Sequence, residues 1–543
     1  MSPPIVATVT GKIKGKLVEL KVKDAKPVNT FRNVPFAKPP IGNLRFLPPQ
    51  PAEPWSGIRD GTTPGNLPIY STAYDSVTVP YFPSPNQFDN EAVLSEDCLH
   101  LSVYTPSLER GKNLPVMVYL YGGGFSSGSE RPYDGCALAG MNDVVVVVPN
   151  YRVGVFGFFA LGPSSICSGN AGLLDQQLAL KWVKENIENF GGDANNVTLF
   201  GQSAGSVAVE MQVLSPLARG LFHKAISFSG QTNMDALFPS PEEVTKSAKF
   251  FLELLKIDEK DDLKILEALQ KVSSDDLMDA TAKLLEKNCF FQPYVEGKVF
   301  VKPYEEMMKD LKSSEIPYII GCNNTEGYGL LSCFLSPNFA TGMTEEELKQ
   351  SPFLSLTEEG FEKCKEFYIK DNSDKLKFSR MHGDMVGDSM YISKTIPSAA
   401  AYSAGKAPVY LLYGCFQLQM FQDEKYGPEV GKKPNWCLCD HGDDLLMTFG
   451  WPFSPYVLPR GAKFTKDEEE ISRKFMAYVT NFARTGDPNK GRKVDVKWPR
   501  YKPQGEYLVV DKIFSVGKNL GEKEADFWNN VMPAHTKKRT VSD

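Results

Sequence analysis

Histidine and long apolar segments are scarce in this sequence. Only five of its 543 residues are histidines, so any chemistry that needs an imidazole has few candidate residues. The strongest apolar run, Val144–Val148, stops at Pro149, whereas a helix needs about 20 apolar residues to cross a bilayer. We therefore expect no transmembrane segment, and the valine run predicts a buried strand.

The sequence also lacks an excess of positive charge and a targeting segment. Its 60 lysines and arginines are outnumbered by 66 aspartates and glutamates, giving a net charge of −6, which argues against nucleic acid as a partner. Residues Met1–Ala7 have neither the charged start nor the apolar centre of a signal peptide. This predicts a cytoplasmic location. The alternative is a secreted or lumenal protein whose signal peptide has been removed.

The cysteines form neither a disulfide framework nor a metal-binding pattern. Ten cysteines are scattered along the chain, and Cys437 and Cys439 lie too close in sequence for an ordinary bridge. No second pair completes a zinc-like spacing. We therefore expect free thiols and no metal site.

No repeat, low-complexity tract or linker divides the chain, so we expect a single domain over residues 1–543. Leu114–Tyr121 and Val197–Phe200 are predicted strands, and the spacing of apolar residues predicts a helix over Leu173–Ile187. This alternation predicts an α/β fold with a mostly parallel central sheet flanked by helices. Large helical insertions are expected around residues 234–290 and 335–400.

A serine between two glycines is the sharpest functional motif. Gly201-Gln202-Ser203-Ala204-Gly205 follows a predicted strand and precedes a helix-like segment. Flanking glycines allow a tight turn that exposes the serine at the end of the sheet, as in the nucleophile elbow of α/β-hydrolases. In this context Ser203 is predicted to be a nucleophile. An ordinary glycine-rich turn is the alternative.

A second glycine-rich turn, Gly122-Gly123-Gly124, follows the strand that ends at Tyr121. In α/β-hydrolases, backbone amides of such a loop and of the residue after the nucleophile stabilise the developing oxyanion. The predicted donors are therefore the amides of Gly123, Gly124 and Ala204. A plain turn between a strand and a helix is the alternative.

The general base must be a histidine, and His441 fits this role best. It lies late in the chain, and this fold places the histidine after the serine and the acid. His382 is the only rival, because His100 is assigned to a strand, His223 to a helix and His535 to the tail. A metal site around His441 would lack a second histidine or cysteine at matching spacing.

The acid that orients the base should lie between the serine and the histidine, at the end of a strand. Ile316–Ile320 is a predicted strand, and Glu326 follows it closely. Glu326 is therefore the best candidate. Spacing alone leaves Asp384 and Asp388 open as alternatives.

Motifs of a known family occur in order along nearly the whole chain. They are Phe36–Phe46, Ser95–Leu99, Tyr121–Phe125, Asn150–Phe158, Gly169–Gln176, Asn189–Asp193, the turn around Ser203, and Asn481–Asn489. Together they resemble the carboxylesterase/cholinesterase family (type-B carboxylesterases), and Asp440–Leu445 looks closest to the vertebrate-type carboxylesterases. The resemblance implies an α/β-hydrolase fold with a Ser203–Glu326–His441 triad, which selects Glu326 over the two aspartates.

Several positions depart from the family pattern. Cys98 matches a family half-cystine, but Pro64–Pro80 contains no cysteine to pair with it, and the second family disulfide is also missing. The choline-binding tryptophan of cholinesterases is absent. Tyr121 stands where many carboxylesterases have histidine, which a hole built from backbone amides should tolerate. These departures point away from a cholinesterase and from a lumenal carboxylesterase.

The expected activity is hydrolysis of carboxylic esters, with thioesters and amides as variants, through an acyl-enzyme on Ser203. The mechanism implies no metal or organic cofactor. The expected partner is a small-molecule ester with a small to medium apolar acyl group, and a homo-oligomer remains open. The alternative is a non-catalytic, cholinesterase-like adhesion or ligand-sequestering protein, a class that usually loses the serine or the histidine.

The resemblance also suggests an acyl pocket. Cys289, Phe290 and Phe291 align with the segment whose aromatic side chains narrow this pocket in cholinesterases. A cysteine at position 289 would leave room for longer acyl chains. The alternative is that Phe290 and Phe291 fill the core and that Cys289 does not face the substrate.

Overall fold

An 11-stranded sheet forms the centre of the computed structural model, which describes residues 2–71, 93–234, 238–286, 289–309, 315–329, 338–351, 355–456, 458, 461–502 and 505–537. The strands are β1 (Ile5–Ala7), β2 (Lys12–Lys14), β3 (Lys16–Val18), β4 (Val28–Pro35), β5 (Ile58–Asp60), β6 (His100–Thr105), β7 (Leu114–Leu120), β8 (Val145–Pro149), β9 (Gly192–Gln202), β10 (Lys224–Phe228), β11 (Tyr318–Asn323), β12 (Val409–Gly414), β13 (Glu506–Val510) and β14 (Ser515–Lys518).

Helices cover this sheet and form the insertions. They are α1 (Cys136–Asn142), α2 (Gly154–Phe158), α3 (Ala171–Asn186), α4 (Ala204–Leu214), α5 (Pro241–Leu254), α6 (Asp262–Leu269), α7 (Ser274–Glu286), α8 (Tyr304–Lys309), α9 (Glu345–Lys349), α10 (Glu358–Tyr368), α11 (Lys377–Gly387), α12 (Ser393–Ser403), α13 (Asp443–Thr448), α14 (Lys466–Thr485) and α15 (Glu522–Asp526).

The strand order in the large sheet is β14-β13-β12-β11-β10-β9-β7-β8-β6-β4-β3. From β13 to β8 every neighbouring pair is parallel, and the pairs at the two ends are antiparallel. β1, β2 and β5 form a separate three-stranded sheet. The predicted α/β fold with a mostly parallel sheet is confirmed.

The middle strands are apolar because both faces of the sheet are covered. Every residue of β7 and β8 is buried, as expected for parallel strands between two layers of helices. The helix α14 contacts β7 and α13. Its ends follow local rules: Thr465 and Glu468 form a capping box, and Gly486 ends the helix with a φ of 75°.

The two predicted insertions contain helices. The first insertion holds α5 to α7, and α5 begins at a capping box formed by Ser240 and Glu243. The second holds α9 to α12 and packs with the C-terminal segment around a small apolar cluster that includes Phe339, Met385 and Trp528. The assignment of the whole chain to one domain stays a prediction.

The predicted helix around His223 is wrong. His223 lies in a turn directly before β10, and its backbone N–H donates to Val197 O at 2.8 Å. The short apolar run from Leu221 to Phe228 fits a buried strand as well as a helix, and its length alone could not separate the two. In the described part of the chain, no helix combines the length and apolar composition needed to cross a membrane.

Candidate active site

Ser203 lies in a sharp turn between β9 and α4. Its φ of 58° and ψ of −130° place it in a backbone region that costs energy for any residue with a side chain. The neighbouring glycines are required sterically, because a Cβ on Gly201 would overlap Gly205 O and one on Gly205 would overlap Leu120 O. The strand–turn–helix context predicted for the Gly-x-Ser-x-Gly motif is therefore present.

The Gly122–Gly124 loop packs directly against this turn. A Cβ on Gly122 would lie 2.8 Å from Ser203 Cβ, while one on Gly124 would meet no atom within 4 Å. Gly123 and Gly124 have φ values of 115° and 61°, so the loop needs glycine's freedom. Within the described residues, no hydrogen bond is formed by either amide. The amide of Ala204 lies in the first turn of α4, where N–H groups have no partner inside the helix.

Glu326 and His441 meet across two different parts of the chain. Glu326 follows β11, and His441 lies in the loop before α13. The Nδ1 atom of His441 is 2.7 Å from Glu326 Oε2, and both residues are buried, at 3% and 1% exposed. The other carboxylate oxygen, Oε1, accepts hydrogen bonds from Ser229 Oγ at 2.5 Å and from Asn323 N at 2.6 Å.

The charges around His441 favour its protonated form. Burial lowers the pKa of this imidazole, but the hydrogen bond and charge of Glu326, together with the charges of Asp440 and Asp444, outweigh burial and leave the pKa raised above its ordinary value of 6.5. Burial also raises the pKa of Asp444, to about 7, with a further contribution from the charge of Glu326. The site therefore gathers several acidic groups around one imidazole.

The other ring nitrogen of His441 contacts Gln202. The Gln202 side-chain amide lies 3.1 Å from Nε2 and donates to it when Nδ1 carries the proton. Among the described residues, no hydrogen bond joins the Ser203 hydroxyl to the His441 imidazole. Catalytic hydrogen bonds are often long or unmade until substrate binds. In this structure the Nε2 atom of His441 contacts the Gln202 amide instead.

The alternative acids and the rival base are engaged elsewhere. Asp384 accepts a hydrogen bond from Tyr328 OH at 2.5 Å, and Asp388 accepts one from Tyr368 OH at 2.9 Å. His382 Nε2 lies 2.9 Å from Ser351 Oγ, and burial lowers the pKa of His382 to about 4. Glu326, in contrast, contacts the imidazole of His441.

The remaining histidines also lie in other surroundings. His100 Nε2 is 2.7 Å from Asn66 O, His223 Nδ1 accepts from Val197 N at 3.1 Å, and His535 Nδ1 lies 3.8 Å from Glu359 Oε2. Over the described ranges, no group of three His, Cys, Asp or Glu side chains is arranged to hold a metal ion.

The predicted acyl-pocket residues are partly core residues. Phe291 packs against Phe159 and Phe251, with ring centroids 5.5 and 5.1 Å apart. Cys289 is 2% exposed and belongs to the central apolar cluster, and Phe290 is half-buried. The packing of Phe291 matches the alternative of a core-filling role, and the pocket role of Cys289 stays a prediction.

Four contacts of the site are not apparent from the sequence. They involve Gln202, Ser229, Lys433 and Tyr391. The ring centroid of Tyr391 lies 4.7 Å from that of His441, and Lys433 Nζ lies 3.1 Å from Asp440 Oδ2. Gln202 occupies a variable position of the Gly-x-Ser-x-Gly motif, and Ser229 follows β10, a strand that the sequence does not predict. No local pattern marks Tyr391 or Lys433, because their roles depend on packing.

The chain is similar to known carboxylesterases over nearly its whole length. A family described as "Carboxylesterase family" matches residues 2–528. The Liver carboxylesterase of Sus scrofa is 34% identical over 99% of this chain and 94% of its own length. The Cocaine esterase of Homo sapiens is 35% identical, with 98% and 92% covered, and Carboxylesterase 1D of Rattus norvegicus is 34% identical, with 98% and 93% covered.

Proposed function

Because the chain belongs to the carboxylesterase family and is a carboxylic ester hydrolase with an α/β-hydrolase fold, we propose that it works as a serine esterase in which Ser203 forms an acyl-enzyme. The observation that carries this proposal is the pairing of His441 with Glu326 at 2.7 Å. That pair adjoins the turn that holds Ser203, because Gln202 in this turn contacts His441 Nε2.

In the proposed reaction, Ser203 Oγ attacks the ester carbonyl while His441 Nε2 takes its proton. A serine hydroxyl is a weak nucleophile without such a base. Glu326 accepts a hydrogen bond from the Nδ1–H group of His441 and stabilises the imidazolium that forms. Gln202 now occupies Nε2, so its amide must give way to the serine hydroxyl when substrate binds.

The oxyanion of the tetrahedral intermediate would be bound by the amides of Gly123, Gly124 and Ala204. Removing a single donor of this kind typically costs about 10²–10³ in rate. His441 then protonates the leaving alcohol, which departs. A water molecule, deprotonated by the same imidazole, attacks the acyl-enzyme and releases the acid.

A non-catalytic role is not favoured, because the chain keeps the serine, the histidine and the acid. The structure adds that Glu326 accepts two further hydrogen bonds, from Ser229 and Asn323. A carboxylate that is fixed by several hydrogen bonds beside an imidazole supports a catalytic role for His441 over a non-catalytic binding role for the protein.

Replacing the nucleophile tests the mechanism. Ser203→Ala should lower ester turnover by several orders of magnitude while leaving the fold intact. Ser206→Ala is the matched control, because Ser206 lies one turn further along α4 and its hydroxyl donates to Gly230 O at 2.7 Å. Near-native turnover by Ser203→Ala would rule out the proposed nucleophile.

We further propose that the substrates are esters of neutral alcohols with acyl chains from butanoyl to octanoyl. Each additional buried methylene gains about 0.8 kcal/mol, provided that Cys289 leaves room for it. Cys289→Phe should then shift kcat/KM toward shorter acyl chains across a series of esters. An unchanged chain-length profile would remove Cys289 from the pocket and leave the esterase mechanism standing.

We also propose that the protein works in a reducing compartment such as the cytosol. Cys98, which matches a family half-cystine, is a buried free thiol, and disulfides rarely persist where thiols are kept reduced. Thiols titrated in denaturant without reductant, on protein from its native source, should account for nearly all ten cysteines. Two or more bridges would contradict this location.

A further inference from the structure

A buried ion cluster lies beside the proposed base. Lys433 Nζ is 3.1 Å from Asp440 Oδ2 and 3.0 Å from Asp443 Oδ1, and all three side chains are at most 1% exposed. The ammonium also lies 4.0 Å from the centre of the Phe421 ring. Buried charges are costly unless they are paired. The reaction described above gives this cluster no role.

The cluster joins the loop of the base to the loop of the acid. A Cβ on Gly329, three residues after Glu326, would overlap Asp440 Oδ2 and lie 2.9 Å from Lys433 Cε. The two loops therefore touch directly over the ion pair. Asn323 Nδ2 also donates to Asp440 O at 3.0 Å.

The same ion pair shapes the turn that presents His441. Asp443 Oδ2 accepts a hydrogen bond from Asp440 N at 2.9 Å. This bond joins the residue before His441 to the second residue after it and so stabilises the turn. Lys433 contacts both carboxylates at once. Its loss would release the turn and leave two buried carboxylates without their cation.

The charges that face His441 give Lys433 a second effect. Glu326 contacts the imidazole from the loop after β11. The charges of Asp440, in the same loop as His441, and of Asp444, in α13, also favour the imidazolium, and the neutral Tyr391 ring packs against it. Cys437, which faces Lys433, stays a neutral thiol because burial raises its pKa well above the ordinary value. The ammonium of Lys433 is paired with Asp440 and therefore offsets part of the negative charge that the carboxylates place around His441.

We propose that Lys433 is a positioning residue of the esterase: it holds the His441 loop against the Glu326 loop and limits how far the surrounding carboxylates favour the imidazolium. This inference rests on the serine-esterase mechanism proposed above. Lys433 acts through Asp440 and Asp443 and does not touch the substrate.

Lys433→Met is the principal test. Activity requires neutral His441, so loss of the cation beside Asp440 should move the acid limb of kcat/KM to higher pH. The looser histidine should lower kcat about 10- to 100-fold, with little change in KM. A role confined to stability would lower the melting temperature and leave the midpoint of the limb in place.

Two matched variants sharpen this test. Lys432→Met removes the neighbouring ammonium, which among the described residues donates to two backbone carbonyls, those of Met420 and Gly427, at 3.1 and 2.6 Å. Its pH profile should match the parent. Lys433→Arg restores a cation between the aspartates and should return the midpoint toward the parent value.

Gly329→Ala keeps every charge and covers the case in which Lys433→Met does not fold. The added methyl group overlaps Asp440 Oδ2, so it should separate the ion pair and raise the midpoint in the same direction by a smaller amount. The proposal is overturned if the folded variants, Gly329→Ala included, keep the parent midpoint and kcat. If Ser203→Ala retained turnover, the mechanism itself would fail, whatever the Lys433 variants show.

Discussion

The tripeptide His-Gly-Asp occurs twice in this chain, and its two copies have opposite fates. His382-Gly383-Asp384 lies within α11, whereas His441-Gly442-Asp443 forms the turn that leads into α13, with Gly442 at a φ of 89°. His382 contacts Ser351, and Asp384 accepts from Tyr328. His441 contacts Glu326, and Asp443 contacts Lys433.

The difference shows that distant partners, and not the tripeptide itself, decide what each histidine can do. Within the helix, burial lowers the pKa of His382 to about 4, so this imidazole stays neutral near pH 7. In the turn, the hydrogen bond and charge of Glu326, together with the charges of Asp440 and Asp444, outweigh burial and raise the pKa of His441. Of these two imidazoles, only that of His441 contacts a carboxylate from a distant part of the chain, that of Glu326 after β11.

The largest expected effect comes from replacing each histidine in turn. His441→Gln should lower ester turnover by about 10³–10⁴-fold or more, because the serine loses its base. His382→Gln should keep turnover near the parent value, since the described contact of the His382 ring nitrogen is with Ser351. Steady-state assays on both variants, with near-ultraviolet circular dichroism as the folding control, measure this contrast. The reverse result would make His382 the base.

The pH dependence of the parent enzyme separates the two histidines without mutation. Since the base must be neutral, kcat/KM should rise with pH through one ionisation whose midpoint lies above the ordinary histidine value of about 6.5. Glu326→Gln should move that midpoint to lower pH, because the carboxylate that favours the imidazolium is gone. A midpoint near 4, the pKa of His382, would contradict the assignment of His441.

The smallest expected effect on turnover comes from replacing the serine that contacts each region, which is Ser229 beside Glu326 and Ser351 beside His382. Ser229→Ala removes one donor to Glu326 and should lower kcat about tenfold, which corresponds to about 1.4 kcal/mol in the barrier. Ser351→Ala removes the partner of His382 and should cost about 1 kcal/mol of stability with kcat unchanged. Equal effects on kcat would show that the regions do not differ as described.

Local sequence patterns predict the parts of this molecule that local rules govern. The valine run of β8, the capped helix α5 and the elbow at Ser203 each follow from residues close together in the chain. Glu326 needed the family resemblance, because Asp384 and Asp388 satisfied the same spacing. In the structure, Asp384 contacts Tyr328 and Asp388 contacts Tyr368, whereas Glu326 contacts His441.

The features that the sequence does not predict are contacts between distant side chains. Gln202 reaches His441 across 239 positions of the chain, and Ser229 reaches Glu326 across 97. Such pairs depend on how strands and loops pack, and no periodicity encodes them. The error at His223 has a related cause, because the pairing of β10 with β9 and β11 overrides what a short apolar run suggests.

Labelling with a fluorophosphonate tests the central assignment most directly. The reagent forms a stable bond only with a serine that its own active site activates, and peptide mass spectrometry locates that bond. The account predicts stoichiometric labelling of the folded protein at Ser203, which is lost in Ser203→Ala and strongly slowed in His441→Gln. An unlabelled folded protein, or attachment at a different residue, would contradict it.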